Sequence, residues 1–350
     1  MRFNRTLFYK FLVGLFLVCW LTTDGYLSAD AFSVSNSVAV PDANQLSSIS
    51  TTCPAILLSS GPGSGKSRVL SARVCHLLLE RHRINGLKRS QAKVSGKGLF
   101  ILSFSKADAV RIRRRSLRIL HRDDMFQSKV DLRQLESEIW AGTLHGFAST
   151  ILRNFGGIVP RVHRSRKRLD IIEKVLSDMR SSSSIPNELY EKSLVSSGGG
   201  GVSTSTLISS IHQIIQFWKE SALLDAVQLH DEFCKREHMP RELLSVCDHL
   251  CLHSTVAEVA YMLYPQYQKA LQIDNAVDAS DLTSMAYKFL ENNPNVLEEI
   301  RSQFINHLIV DEYQDISPSQ RNLLQIIICG NPKHTDSIFL STGKDSSYDQ

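Results

Sequence analysis

Ser60-Gly61-Pro62-Gly63-Ser64-Gly65-Lys66-Ser67 decides how the rest of the chain is read. Its glycines let the backbone curl around an anion with the N–H groups turned inward. A short apolar run, Ala55-Ile56-Leu57-Leu58-Ser59, precedes it, and Val69, Ala72, Val74, Leu77 and Leu78 recur on one face after it. The order is therefore strand, glycine turn, helix. The helix start adds its partial positive charge to the turn. At this spacing Lys66 reaches the β- and γ-phosphates of a nucleotide and Ser67 ligates Mg²⁺. The strict pattern has Gly where this chain has Ser60, a small residue beside two glycines.

Working outward, the partner of that turn is His307-Leu308-Ile309-Val310, an apolar strand that ends in Asp311-Glu312. A carboxylate at the carboxyl edge of a parallel sheet can hold Mg²⁺ opposite a phosphate loop, and a neighbouring Glu can polarise a water. Leu99 to Phe104 reads as another buried strand, and Ala107 to Leu120 as a very basic helix. Trp140 to Thr143 leads into a helix from about His145 to Arg153, and Pro318 to Ile328 is a helix behind the acidic strand. Strands alternating with helices predict an α/β fold with a parallel sheet. The chain between about 160 and 275 is mostly helical in pattern, apart from a Gly/Ser loop at Ser196 to Thr206. It reads as an insertion between two parts of one sheet.

Composition agrees with a globular chain. Of 350 residues, 43% are hydrophobic and 21% charged, which excludes a disordered, collagenous or disulfide-scaffold protein. Lys and Arg exceed Asp and Glu by 40 to 35, a mildly basic balance compatible with nucleic acid. Seven cysteines in no pairing pattern read as reduced thiols. The amino terminus has its own character. Arg2, Arg5 and Lys10 precede the apolar run Phe11 to Leu21, and Ala29-Asp30-Ala31 offers a cleavage pattern. The run is shorter than the roughly 20 residues a spanning helix needs, so residues 1–31 read as a signal peptide. Phe32 then opens a Ser- and Val-rich stretch without acid until Asp42. This resembles the bipartite presequence of algae with secondary plastids, which implies a plastid location, the alternative being the nucleus.

Together the motifs resemble the N-terminal, ATP-binding part of superfamily 1 DNA helicases of the UvrD/Rep type. The carriers are Ser60-GPGSGKS followed by Arg68-Val69-Leu70, and Leu308-Ile309-Val310-Asp311-Glu312-Tyr313-Gln314-Asp315 with Gln320 and Leu323-Leu324 after it. Ser103-Phe104-Ser105 resembles motif Ia, and Gly142-Thr143-Leu144-His145-Gly146-Phe147 resembles motif Ib. Asp278 and Asp281-Leu282 resemble the acidic stretch that comes before the DExx strand, and Gln45 stands where the family reads the adenine edge.

The resemblance implies a RecA-like P-loop NTPase domain interrupted by a helical 1B-like subdomain. The corresponding segments are 1–31 (signal peptide-like), 32–44 (transit-like linker), 45–154 and 276–342 (the two parts of the ATPase domain), 155–275 (helical insertion) and 343–350 (divergent tail). It implies ATP and Mg²⁺, with Gln45, Ser60, Gly61, Pro62, Gly63, Ser64, Gly65, Lys66, Ser67 and Arg68 around the nucleotide. Ser67 and Asp311 would hold the metal, Glu312 would act as base and Gln314 would sense the γ-phosphate. Phe104, Ser105, Thr143, His145 and Phe147 would touch DNA. The implied partners are single-stranded DNA and duplex junctions, with no stable membrane insertion of the mature chain. The implied activity is ATP-driven translocation and unwinding in repair or replication. The alternative is a non-catalytic module that keeps the fold and binds nucleotide and DNA.

Three departures from the family pattern stand out. Lys106-Ala107 replaces the usual Asn-Lys of motif Ia. After the strand pattern Ser337 to Leu340, Lys344 takes the place of an Asp and Ser347 that of a Gln. Finally, the pattern of a second RecA-like domain is missing, so the chain reads as a truncated product whose full-length form carries that domain. Two further features lie outside the resemblance. Arg111, Arg113, Arg114, Arg115 and Arg118 crowd one helix, and Arg161, Arg164, Arg166, Lys167 and Arg168 form a second cluster, both suited to phosphates. Cys247, His249, Cys251 and His253 alternate within seven residues, but neighbours two apart on a helix diverge, so a buried helix is the better reading than a zinc site.

Overall fold

The computed structural model describes residues 43–51, 64–87, 98–121, 132–158, 161–196, 203–222 and 239–330. The segments read as signal peptide-like and, up to Asp42, transit-like, the strand pattern at 55–59, Ser60 to Gly63 and everything beyond Gly330 lie outside the described residues. In chain order the first elements are α1 (Ala43–Ser50), α2 (Lys66–Leu87), β1 (Leu99–Leu102), α3 (Lys106–His121), α4 (Leu132–Glu138) and β2 (Ile139–Gly142). Next come α5 (Leu144–Gly156), β3 (Arg161–Val162), α6 (Ser165–Ser181), α7 (Asn187–Ser196), α8 (Thr204–Glu220), α9 (Arg241–Leu250) and α10 (Ser254–Ile273). The last are β4 (Ala276–Val277), α11 (Ala279–Asn292), α12 (Pro294–Glu299), a π-turn (Ile300–Phe304), β5 (His307–Val310), a 3₁₀ turn (Tyr313–Asp315) and α13 (Pro318–Cys329).

The described residues form two compact units, cut after Gly142, after Phe304 and after Asp311. The first unit holds a parallel sheet in the order β2-β1-β5, with Leu99 opposite both Ile139 and His307. All four residues of β1, Leu99 to Leu102, are buried. A continuous apolar run of this kind suits the central strand of a parallel sheet. Leu99, Ile101 and Ile309 pack with Val74 and Leu78 of α2 and Ile112 of α3. The α2–α3 seam is closed by Ser116, whose hydroxyl donates to the Ser71 carbonyl at 3.0 Å. Gly142 ends β2 for a steric reason. A Cβ there would meet the Trp140 ring at 2.6 Å, so no larger residue fits without moving the indole.

In the second unit α6, α7, α8, α9 and α10 enclose one apolar core. Trp218, fully buried, donates its indole N–H to the Leu243 carbonyl at 2.9 Å and so fixes α8 against α9. The small parallel pair β3–β4 sits in the same unit, and α11 packs against α5 and α13.

Element boundaries differ from expectation at several places: β1 stops at Leu102 instead of running to Phe104, and α5 continues to Gly156, past Arg153. The Gly/Ser segment was to run to Thr206, yet α8 starts at Thr204, because the apolar face Leu207, Ile208 and Ile211 extends the helix backwards by one turn. In the Cys/His segment α9 stops at Leu250: Cys251 takes a left-handed conformation (φ +53°), and His253 caps α10 by accepting from the Thr255 N–H. His249 instead packs against the Phe217 ring, and no metal-binding cluster occurs among the described residues. Nor is any described helix long and apolar enough to cross a membrane.

Candidate functional site

In the first unit, Ser64, Gly65, Lys66 and Ser67 lead into α2. Gly65 has φ +87°, a conformation in which glycine carries no Cβ penalty. Its carbonyl accepts from the Arg68 and Val69 N–H groups at 2.8 and 3.1 Å, which starts the helix and puts Lys66 and Ser67 in its first turn. No acidic residue occupies that turn, so nothing there opposes an anion. Gln45 on α1 donates its side-chain amide to the Ser64 carbonyl at 3.3 Å, which places it beside the loop. Arg73 holds α1 to α2 by donating to the Ile49 carbonyl at 2.7 Å. Nη2 of Arg68 is buried with no hydrogen-bond partner among the described residues.

Asp311 follows β5 at the carboxyl edge of the same sheet. Its N–H continues the ladder to the Leu102 carbonyl at 2.8 Å, and its side chain is buried. Phe104 and Ser105 follow β1 at that edge. Phe104 is 79% exposed, an unusual position for a large ring. Ser105 caps α3, accepting from the Asp108 N–H at 3.1 Å while its hydroxyl donates to the Asp108 carboxylate at 2.5 Å. The basic residues of α3 are only partly paired. Arg111 meets Asp108 at 2.6 Å and Arg113 meets Glu136 at 3.5 Å, while Lys106, Arg114, Arg115 and Arg118 stay exposed and make no ion pair among the described residues.

In the second unit Glu312 has φ +52° and ψ +50°. A non-glycine residue in that region is uncommon, and such strain concentrates at functional positions. The Gln314 amide donates to the Glu312 carboxylate. Tyr313, Gln314 and Asp315 are exposed on the 3₁₀ turn. Thr143, His145 and Phe147 open α5. Thr143 is the N-cap, its hydroxyl accepting from the Gly146 N–H at 3.2 Å. His145 is partly buried, and desolvation, helped by Arg168, keeps its pKa below the usual imidazole value against the opposing pull of Glu220 and Asp278. Its Nε2 lies 3.4 Å from Nε2 of Gln320. Phe147 is fully buried, so its ring serves the packing of α5 and is not a platform for a base. In the second basic cluster Arg168 is buried and donates to Ser165 at 3.0 Å, whereas Arg161, Arg164, Arg166 and Lys167 are exposed.

The sequence resemblance placed Asp278 and Asp281 in the acidic stretch before the DExx strand without a partner or a chemical role. They form a capping box at the start of α11, and both meet Lys219 of α8, at 2.5 and 2.7 Å. All three are buried. One cation between two carboxylates leaves an excess negative charge. Burial, with the neighbouring Asp278 charge, pushes Asp281 up to about 6 against the pull of Lys219, whereas the direct Lys219 contact holds Asp278 down against its own burial. The missed signal was Lys219 itself. It falls four and eight residues after Ile215 and Ile211, on the apolar stripe of α8.

Comparison with known proteins gives these features a family. The chain is 25% identical over 289 residues to the ATP-dependent DNA helicase PcrA of Leuconostoc citreum, covering 81% of this chain and 30% of that protein. It is 25% identical over 282 residues to the ATP-dependent DNA helicase srs2 of Schizosaccharomyces pombe, covering 78% and 26%. It is 24% identical over 274 residues to the ATP-dependent DNA helicase UvrD1 of Mycobacterium leprae, covering 78% and 28%. The chain thus spans about a third or less of the length of these relatives. Residues 42–341 match the UvrD/REP helicase N-terminal domain, a span that takes in the phosphate loop, the whole helical segment and the acidic strand. With a parallel α/β sheet and a largely helical second unit to match, this chain belongs to the UvrD/REP helicase N-terminal domain family.

Proposed function

We propose that this chain is the ATP-binding half of a DNA helicase, in which ATP hydrolysis drives movement along single-stranded DNA and duplex unwinding in repair or replication. One observation carries the reading. The acidic strand ends in a buried Asp311 followed by Glu312 in a left-handed backbone, a costly conformation kept by a residue whose carboxylate is suited to activating water. In this reading Gln45 and Ser60 to Arg68 surround the nucleotide. Gly65 at φ +87° and an acid-free first turn suit an anion there, with Lys66 as the cation on the β/γ-phosphates. Ser67 and Asp311 hold Mg²⁺, which neutralises phosphate charge when bound. Glu312 takes the proton of the attacking water, and Gln314, already bonded to Glu312, reports the γ-phosphate. Exposed Phe104 stacks on a base, Ser105, Thr143 and His145 line the strand, and the unpaired arginines of α3 neutralise phosphates.

Glu312→Gln tests the assignment. The amide keeps the shape but accepts no proton, so hydrolysis falls by roughly 10²–10⁴-fold while Mg·ATP binding persists. Hydrolysis at the wild-type rate would move the base elsewhere. Lys66→Ala abolishes nucleotide binding, because charge-assisted phosphate contacts are the strong class of hydrogen bond; equal affinity in a titration of fluorescent nucleotide would refute the loop's role. Binding without any turnover in the wild type would favour the non-catalytic module. For location, we propose that residues 1–45 carry a fused fluorescent protein to a plastid in an alga with secondary plastids. Nuclear fluorescence would reverse that.

A further inference from the structure

Gln320 uses both ends of its side chain. It is the third residue of α13 and closes a capping box with Ser317: its N–H donates to the Ser317 hydroxyl at 3.4 Å, and its Oε1 accepts from the Ser317 N–H at 3.2 Å. That second bond fixes which end of the amide is oxygen, and the nitrogen then faces Nε2 of His145 at 3.4 Å. An amide nitrogen only donates, so His145 accepts with a bare Nε2 and carries its proton on Nδ1. The neutral state this requires agrees with the burial of the ring. The charged groups facing His145 come from three other elements: Glu220 of α8, Asp278 at the cap of α11 and Arg168 of α6.

The two ends of this bridge belong to different parts of the machinery. Ser317 stands two residues after the Tyr313–Asp315 turn that carries Gln314. His145 is in the first turn of α5, whose cap is Thr143. We propose that Gln320 is a positioning residue that makes the turn bearing Gln314 and the start of α5 shift as one body, passing nucleotide state to the bound strand. The proposal rests on the helicase reading, since it assigns the two ends to nucleotide and strand. Nearby, Thr283 of α11 and Ser319 of α13 lie 3.5 Å apart, and Ser280 donates to Glu220 at 3.2 Å. The α13 start is therefore embedded in polar contacts, and Gln320 joins it to α5 through His145.

The test measures linkage by binding, with no need for turnover. The affinity of the full chain for a fluorescent oligo-dT is titrated with and without a non-hydrolysable Mg·ATP analogue. In wild type the analogue changes strand affinity by a factor within the roughly 5–150-fold range of site–site coupling. In Gln320→Met that factor collapses toward one, with nucleotide-free strand affinity unchanged. Gln320→Glu keeps the cap acceptor and restores a bond to His145, now as acceptor from Nε2–H. It rescues the coupling and raises the His145 pKa in an imidazole NMR titration. Ser317→Ala weakens the cap alone, lowering stability while leaving the coupling intact. Wild-type coupling in Gln320→Met, or an unshifted His145 in Gln320→Glu, overturns the proposal. A wild-type chain that binds both ligands without linkage also overturns it and leaves the helicase reading standing. Failure to bind either ligand overturns the reading itself, and the His145 titration then decides the Gln320 contact alone.

Discussion

Two acidic pairs in this chain have opposite fates. Asp278 and Asp281 are buried around Lys219, cap a helix and tie α8 to α11. Asp311 and Glu312 end a sheet strand, and Glu312 is held in a left-handed backbone with its carboxylate bonded to the exposed Gln314. The first pair has its charge answered by the protein's own lysine. The second includes a left-handed residue whose carbonyl accepts from the Asp315 N–H at 3.0 Å and so starts the 3₁₀ turn. Acidic side chains thus separate by what surrounds them into a pair that ties two helices together and a pair that the proposed function assigns to nucleotide chemistry.

The largest expected effect comes from breaking the first pair. Lys219→Met leaves two carboxylates buried without a cation, and loss of one partner of a buried ion pair costs about 3–5 kcal/mol. Urea denaturation measures it. A cost below about 1 kcal/mol, the range of surface pairs, would show that Lys219 does not hold the cluster. The second pair responds in the opposite direction. Glu312→Gly relieves a left-handed conformation that costs a non-glycine residue about 1–2 kcal/mol, partly offset by glycine's backbone entropy. The variant is therefore more stable by about 1 kcal/mol while hydrolysis is lost. A destabilised Glu312→Gly would mean that its side chain supports the fold after all.

A third effect is a slope. The folded-state pKa of Asp281 is raised from 3.8 to about 6, so between those values the folded chain binds more protons than the unfolded one. Its contribution to stability is present at low pH and falls as pH rises from about 4 to 6. Asp278 is lowered, so its contribution has the opposite sign and is lost only as pH falls below the ordinary carboxylate value. Asp281→Asn removes the first dependence and keeps the second. Equal slopes in wild type and Asp281→Asn across pH 4 to 6 would place the retained proton elsewhere.

Much of this was legible in the residues. Strand β5 was read at His307–Val310 and observed there, because three consecutive apolar residues, Leu308 to Val310, bounded by a polar turn leave little freedom of register. Helices α3 and α13 were placed to within one residue at each end, since Ser105 and the Ser317–Pro318 pair are local start signals. The same locality explains the loop at Gly65 and its Lys-Ser sequel: a positive φ and a helix start are set by the residues that adopt them. What the sequence could not decide are properties of distance. Phe104 and Phe147 are the same residue type in two adjacent motifs, yet one ring is 79% exposed and the other fully buried. Burial depends on what the rest of the chain brings alongside. Lys219, Asp278 and Asp281 are up to 62 positions apart, and Gln320 and His145 are 175 apart. Local propensity acts over a helical turn, whereas ion pairs and hydrogen bonds act over a few ångströms of space. Strand, turn and cap were therefore set by neighbours in sequence, and only the tertiary structure chose which distant groups meet and which side chains are buried.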